Sequence, residues 1–570
     1  MKKIEQPALT TKYEELLERE APHGYYPRPQ MKRDSFINLN GEWDFAAAKS
    51  GEEISYTRRI LVPFPPESKL SGISETPEPD ELLYYRRSFT LPDGFMKDRL
   101  LLHFGAVDQI ATVYINGREV GRHEGGYIPF SFDITDFATE DENLIEVAVK
   151  DSLDVIYPYG KQTIKRGGMW YTPVSGIWQT VWLESVPENY IKGIKLTPDL
   201  NGVTVEVDCA SNAKRIKICG VGEYEFSADS LRIDIDRGHL WSPEDPYLYS
   251  FTLECAEDKI ESYFALREVA VKEINGRQTL TLNGKPYLFS GLLDQGYYPD
   301  GIFLPATVGG YEDDILLAKS MGFNMLRKHI KIEPMIFYYL CDKLGIAVFQ
   351  DMVNNGKYSF MGDTVLPTVG FQRLADKKRH PNVESRRIFV EAMMDTAELL
   401  YNTPSVVYYT IFNEGWGQFD ADGAYRLLKN MDPSRIIDST SGWFRRYESD
   451  VDSRHIYFKK LKITAPSGKP VSLSEFGGYS HRVDGHVFGD SEYGYRSFSD
   501  MDKYRDEVSR LYLDQVAPIV RDGACALVYT QLSDVEDETN GLITYDRRVV
   551  KVDAEKIRSI NRKLYEEFNS

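Results

Sequence analysis

From residue 274 onward the chain switches repeatedly between short apolar runs and helical segments, and this rhythm restricts the fold more than any other feature. The runs are YLFSGLLD (287–294), FNMLRKH (323–329), IAVFQDM (346–352), VVYYTIFNE (406–414), IIDSTS (436–441), HIYF (455–458), PVSLSEFG (470–477) and ACALVYTQL (524–532). Their β-branched and aromatic content suits strands buried on both faces. Helices are expected between most of them, over 312–320, 334–344, 384–401, 422–428 and 503–522, with a last one near 553–567. Strand–helix alternation calls for a parallel sheet, and eight units between 274 and 570 fit a closed (β/α)8 barrel with insertions. The connection between the fifth and sixth runs is thin.

Two all-β regions precede the barrel. Residues 1–188 contain short strands with turn signals, read as a jelly-roll-like β-sandwich. Within ATVYINGREVGRH, Asn116-Gly117 sits between two strand patterns, a strong signal for a tight hairpin. Residues 189–273 hold six or seven short strands, about the length and strand count of an immunoglobulin-like sandwich.

A net charge of −19, from 68 basic and 87 acidic residues, disfavours nucleic acid and anionic membranes as partners. The start, MKKIEQPALT, has a basic tip but no apolar stretch behind it, so no secretory signal is expected. Five cysteines without CxxC spacing argue against a disulfide framework or a zinc site and favour a reducing, cytoplasmic setting.

Two barrel runs end on a glutamate where a charge is costly to bury, Glu414 in the fourth and Glu475 in the seventh. Strands four and seven face one another across a barrel mouth, where catalytic side chains sit. Paired carboxylates flanking one bond are the requirement for glycosidase chemistry, and their separation sets the stereochemical outcome.

Taken in order, LNGEWDF, NGREVGRHEGGYIPFSFDIT, SGIWQTVWLE, NEGWGQFD and SEFGG resemble the family 2 glycoside hydrolases. That resemblance implies a retaining exo-β-glycosidase with Glu414 as general acid/base and Glu475 as nucleophile. It implies that Asn413 bonds the sugar 2-hydroxyl, that Tyr457 touches the nucleophile and that Arg327 supports it by charge. Asp294, Gln295 and Asp351 are candidate hydroxyl ligands near strand tips. His329 and His455 are candidates for hydroxyl contact or for a structural role, and Trp416 and Trp443 for sugar stacking or a packed lid. The glycine- and aromatic-rich stretch 165–178 is read either as reaching toward the site or as plain domain interface. No cofactor is required by the resemblance, although a bound magnesium or sodium ion is compatible with it, as is a homo-oligomer.

The sugar is the least specified part. The Asn-x-Lys signature of the family's glucuronidases is replaced here by Glu538, Thr539 and Asn540 before Gly541. Asp534, Glu536, Asp537 and Glu538 on that loop would repel a uronate, and are read as hydroxyl binders or as a solvated face. Gln295 stands where β-galactosidases of the family place a histidine, and His329 comes one position early. A neutral β-galactoside or β-glucoside is the expected substrate. A non-catalytic carbohydrate-binding protein and a transglycosylase using the same residues stay open as alternatives.

Overall fold

The computed structural model describes residues 1–4, 9–366, 376–377, 379–444, 446–462 and 468–570. A six-stranded sheet opens the chain, ordered Arg118–Glu124, Ile110–Ile115, Asn143–Lys150, Glu81–Phe89, Gly41–Lys49 and Arg58–Val62. Facing it is a four-stranded sheet of Phe130–Asp133, Arg99–Phe104, Val181–Val186 and Ile37–Asn38. Trp43, Phe45, Tyr85, Phe104, Val113 and Val147 fill the space between, because alternate residues of each strand point inward. The Asn116-Gly117 hairpin is present, with φ of 52° and 75° at the two turn residues, as a tight twisted connection requires.

The second sandwich pairs a three-stranded sheet (Gly193–Pro198, Gly202–Asp208, Ser230–Asp234) with a four-stranded one (Gly222–Phe226, Lys214–Ile218, Tyr249–Cys255, Asp258–Phe264). Its cysteines correct the sequence expectation. Cys209 and Cys255 form a disulfide across the two sheets, while Cys219, Cys341 and Cys525 are free. Their separation of 46 residues concealed a pairing that only the packing of two sheets brings about.

All eight barrel strands are present: β1 Phe289–Asp294, β2 Met325–Lys328, β3 Ala347–Asp351, β4 Val406–Asn413, β5 Ile436–Ser441, β6 Asp452–Ile456, β7 Val471–Gly477 and β8 Ala524–Thr530. They form one parallel sheet in the order β5-β4-β3-β2-β1-β8-β7-β6. The ladder stays open between β5 and β6, where Ser453 Oγ bonds Asp438 Oδ1 (2.9 Å) in place of backbone pairing. That opening falls at the thin connection noted in the sequence. Strand β6 also begins and ends earlier than HIYF suggests, which leaves Tyr457 and Phe458 beyond its tip.

Helices α1 Gly309–Ser320, α2 Met335–Leu344, α3 Val383–Leu400, α4 Ala421–Met431 and α5 Met501–Leu511 cover the strands. Asn382 caps α3 by accepting from Ser385 N–H, and Asp500 caps α5 by accepting from Lys503 N–H. The single helix expected over 503–522 is broken by a π turn at Tyr512–Val516. No described helix is long and apolar enough to cross a membrane.

Candidate active site

Strand β4 ends at Asn413, and Glu414 follows it in a left-handed conformation, φ 53°. Gly415 (77°) and Gly417 (65°) complete the turn. A Cβ on Gly415 would lie 2.3 Å from the Phe444 ring, and one on Gly417 would lie 2.2 Å from the Asn355 carbonyl oxygen. Only glycine meets both the conformation and the space, which explains Gly-Trp-Gly directly after Asn-Glu. The turn releases the Glu414 carboxyl from the strand and aims it across the mouth.

Glu475 lies within β7 and is 4% exposed. One oxygen of Glu414, one of Glu475 and a nitrogen of His455 all lie within 4.8 Å of one another. His455 Nδ1 is 2.8 Å from Glu414 Oε1 and 3.5 Å from Glu475 Oε2, and its Nε2 is 3.0 Å from Ser441 Oγ. Oxygens this close suit the spacing of about 5–5.5 Å that goes with a covalent intermediate better than the wider spacing that admits a water between the carboxyls.

Arg327 organises the floor. Its Nη1 donates to Glu475 Oε1 (3.1 Å) and to the Ser474 carbonyl (2.9 Å). Nη2 donates to Asn413 Oδ1 (2.9 Å), and Nε to Asp351 Oδ1 (2.9 Å). The other Asp351 oxygen meets His329 Nδ1 at 2.6 Å. Tyr457 donates to Glu475 Oε2, contacts Thr530 Oγ1 at 3.0 Å and stacks on Tyr495 with ring centroids 3.7 Å apart.

Burial alone would raise the Glu475 carboxyl, but His455, Arg327, His329 and the Tyr457 hydroxyl outweigh it and hold the group below the usual carboxylate range. Asp351 is likewise held low, since Arg327 and His329 overcome its burial. Burial pushes the Tyr457 phenol up, reinforced by Glu475, so it stays a donor. His329 is driven below its ordinary value by burial, against the pull of Asp351.

The other expected residues divide. Gln295 donates to Gln531 Oε1 (2.9 Å), and its own Oε1 is buried without a partner. Trp443 is half-buried, with its ring 5.8 Å from that of His455. Asp294 is occupied by protein: Lys328 Nζ (2.6 Å) takes one oxygen and Gly296 N–H (2.9 Å) the other. Trp416 is packed rather than presented, 3% exposed, with its indole N–H on the Gly356 carbonyl (3.0 Å) and its ring against Trp170 and Tyr159.

The acids of the last loop are buried, which removes the reading as a solvated face for Asp534, Glu536 and Glu538. Asp534 pairs with Lys551 at 2.7 Å. Glu536 accepts from Thr172 N–H (2.8 Å), and burial lifts its pKa to about 7 against that bond. Tyr171 donates to Glu538. Stretch 165–178 of the first sandwich therefore meets the barrel mouth, where Trp170 packs 5.0 Å from Trp416 and 5.3 Å from Tyr358.

Sequence reasoning passed over Tyr495, Ser441, Thr530 and Gln531, none of which sits in a motif of its own. Among the described residues, Glu414, His455 and Glu475 are the one group placed to hold a metal ion. Arg327 already supplies positive charge beside Glu475.

Comparison with known proteins bears on the family and the fold. In sequence, the chain is 27% identical over 431 residues to a β-galactosidase of Thermoanaerobacter pseudethanolicus, covering 70% of this chain and 54% of the relative. It is 26% identical to a β-galactosidase of Aeromonas hydrophila, over 71% of this chain and 40% of the relative. The chain thus spans about half the length of the curated relatives it matches. In structure, it resembles a β-D-glucuronidase of Dictyoglomus thermophilum (TM-score 0.73, 19% identity, 95% of this chain and 98% of that one). A GH2 β-galacturonidase of Eisenbergiella tayi has the same fold (TM-score 0.70, 20% identity, 94% and 97%). Models of the glycosyl hydrolase family 2 sugar-binding domain, the general family 2 domain and the family 2 TIM barrel match residues 66–187, 195–267 and 271–465. With all three found in their expected order, the chain belongs to glycosyl hydrolase family 2.

Proposed function

We propose that this protein is a retaining exo-β-glycosidase that removes a terminal neutral sugar, a β-galactoside or β-glucoside, and needs no cofactor to do so. The observation that carries this reading is the approach of Glu414 and Glu475 to within 4.8 Å, with Arg327 and Tyr457 bonded to the second. Glu475, held ionised, attacks the anomeric carbon while Glu414 protonates the departing oxygen. Glu414 then takes a proton from water, which breaks the glycosyl ester with a second inversion. Asn413, fixed by Arg327, is placed to bond the hydroxyl next to the anomeric centre. His455, bonded to Glu414, orients that carboxyl and stays within reach of Glu475.

The relatives named above point to two sugar classes, galactosides by sequence and uronides by fold. Buried Glu536 and Glu538, with no lysine between them on the last loop, favour the neutral class. The test is a panel of nitrophenyl β-glycosides, including the glucuronide and galacturonide, with proton NMR of the first sugar released. A β-anomer from a neutral β-glycoside is expected. Glu475→Gln should abolish turnover, and Glu414→Gln should spare part of it for the most activated leaving groups. An α-anomer, or wild-type rates in Glu475→Gln, would overturn the assignment.

A further inference from the structure

We infer that Lys161, carried by the first sandwich, and Glu538, on the loop after β8, form a donor–acceptor pair that grips a hydroxyl of the terminal sugar. The first domain then helps to choose the substrate. This rests on the glycosidase reading above and specifies its sugar site.

Lys161 is fastened over the barrel mouth. The N–H groups of Tyr159 and Gly160 donate to the Asn354 carbonyl (3.1 and 3.3 Å), and the Lys161 carbonyl accepts from Tyr171 N–H (2.9 Å). Gly160 adopts φ 62°, and a Cβ there would stand 2.8 Å from the Ile330 carbonyl oxygen. Ile330 and Asn354 follow β2 and β3, the strands that supply Arg327 and Asp351.

Lys161 is only 9% exposed. Among the described residues, no carboxylate or carbonyl reaches bonding distance of its Nζ, which lies over the Trp170 ring with the centroid 5.8 Å away. An ammonium in a nearly closed interface that no protein acceptor meets is available to a ligand. It shares this interface with Glu538, because Tyr171, whose N–H holds the Lys161 carbonyl, donates its hydroxyl to that carboxylate.

Glu538 offers the complementary half. It is 5% exposed, and both of its donors, the Tyr171 hydroxyl and Gln531 Nε2 (3.1 Å), bond the same oxygen, Oε2. Oε1 is left for a ligand. A hydroxyl between the two can donate to that oxygen while accepting from the ammonium, which satisfies both groups at once. A uronate would instead add a negative charge beside Glu536 and Glu538, and a deoxy sugar would leave both groups unmatched.

The experiment uses the full chain with Lys161→Met, a substitution of similar length without charge. Wild type and variant are assayed on the preferred nitrophenyl glycoside, its monodeoxy analogues and the matching uronide. The expected result is a fall of about 100-fold in kcat/KM on the parent sugar, with the two proteins equal on one monodeoxy analogue, since a lost hydrogen bond to substrate is specific to its partner. The melting temperature should hold within about 2 °C or rise, because no ion pair is lost. Equal loss on every analogue, no loss on any, or a wild-type preference for the uronide that vanishes in Lys161→Met would each overturn the pair. If Lys161→Met does not fold, Lys161→Gln replaces it, and failure of both would mark the lysine as structural. Wild type inactive on the whole panel would instead sink the glycosidase reading itself.

Discussion

Arg327 distributes four hydrogen bonds among Glu475, Ser474, Asn413 and Asp351, so one buried guanidinium fixes both the Glu475 carboxylate and the amide beside Glu414. Tyr457 bonds the oxygen of Glu475 that Arg327 leaves free. Removing that hydroxyl in Tyr457→Phe should lower kcat by about 100-fold with little change in KM, the size of one lost donor to a charged reacting group. The sign of the pH effect follows from Glu475. Its carboxyl is held low in part by Tyr457, so loss of the hydroxyl raises it. Because the proposed nucleophile must be ionised, activity should be lost as pH falls through that value. The acid limb of the pH–rate profile should therefore move to higher pH, and an unmoved limb would separate Tyr457 from the nucleophile. That Glu414, Glu475, Arg327 and Tyr457 lie together was legible because each occupies or follows a strand tip inside a motif. Tyr495 and Lys161 were not. Their place depends on loops that meet the site across 38 and 296 residues from Tyr457 and its neighbours, a closeness no local pattern encodes.

Among the elements, the strand tips carry the chemistry and the turns aim it. The turn after β4 combines three left-handed residues, Glu414, Gly415 and Gly417, with a packed Trp416. Gly415→Ala would set a methyl against Phe444 in a conformation that L-residues avoid. A loss of about 1–3 kcal/mol in stability is expected, with a fall in kcat larger than the loss of folded protein, because the Glu414 carboxyl is displaced. Denaturant unfolding paired with active-site titration checks this, and an unchanged kcat per folded molecule would remove the turn from the mechanism. Strands β1 to β5, β7 and β8 matched their apolar runs closely, since burial on both faces leaves a continuous signature. The start of β6 is polar, DSRH, and its pattern misled the assignment by three residues. The π turn within the expected 503–522 helix left no trace in periodicity either.

At the scale of the molecule, the first sandwich and the barrel share one core. Tyr127, Tyr159, Tyr171 and Trp178 of the sandwich pack in the same apolar cluster as Tyr297, Phe303, Ile330 and Trp416 of the barrel. Both carboxylates of the proposed mechanism belong to the barrel, yet residues 274–570 expressed alone should lose activity and bind hydrophobic dyes, since the cut exposes that shared surface. Full turnover by the isolated barrel would show that the contact is ornamental to the chemistry. The sequence by itself determined the three-part order, the parallel barrel and the two glutamates, because apolar periodicity and a charge at a strand end are local quantities. Tertiary structure decided the Cys209–Cys255 pairing, the sequestering of Trp416 and Asp294, the burial of the last loop's acids and the arrival of Lys161 at the mouth. Each of these depends on which distant surfaces meet, and that is set by the packing of whole sheets rather than by any stretch of chain.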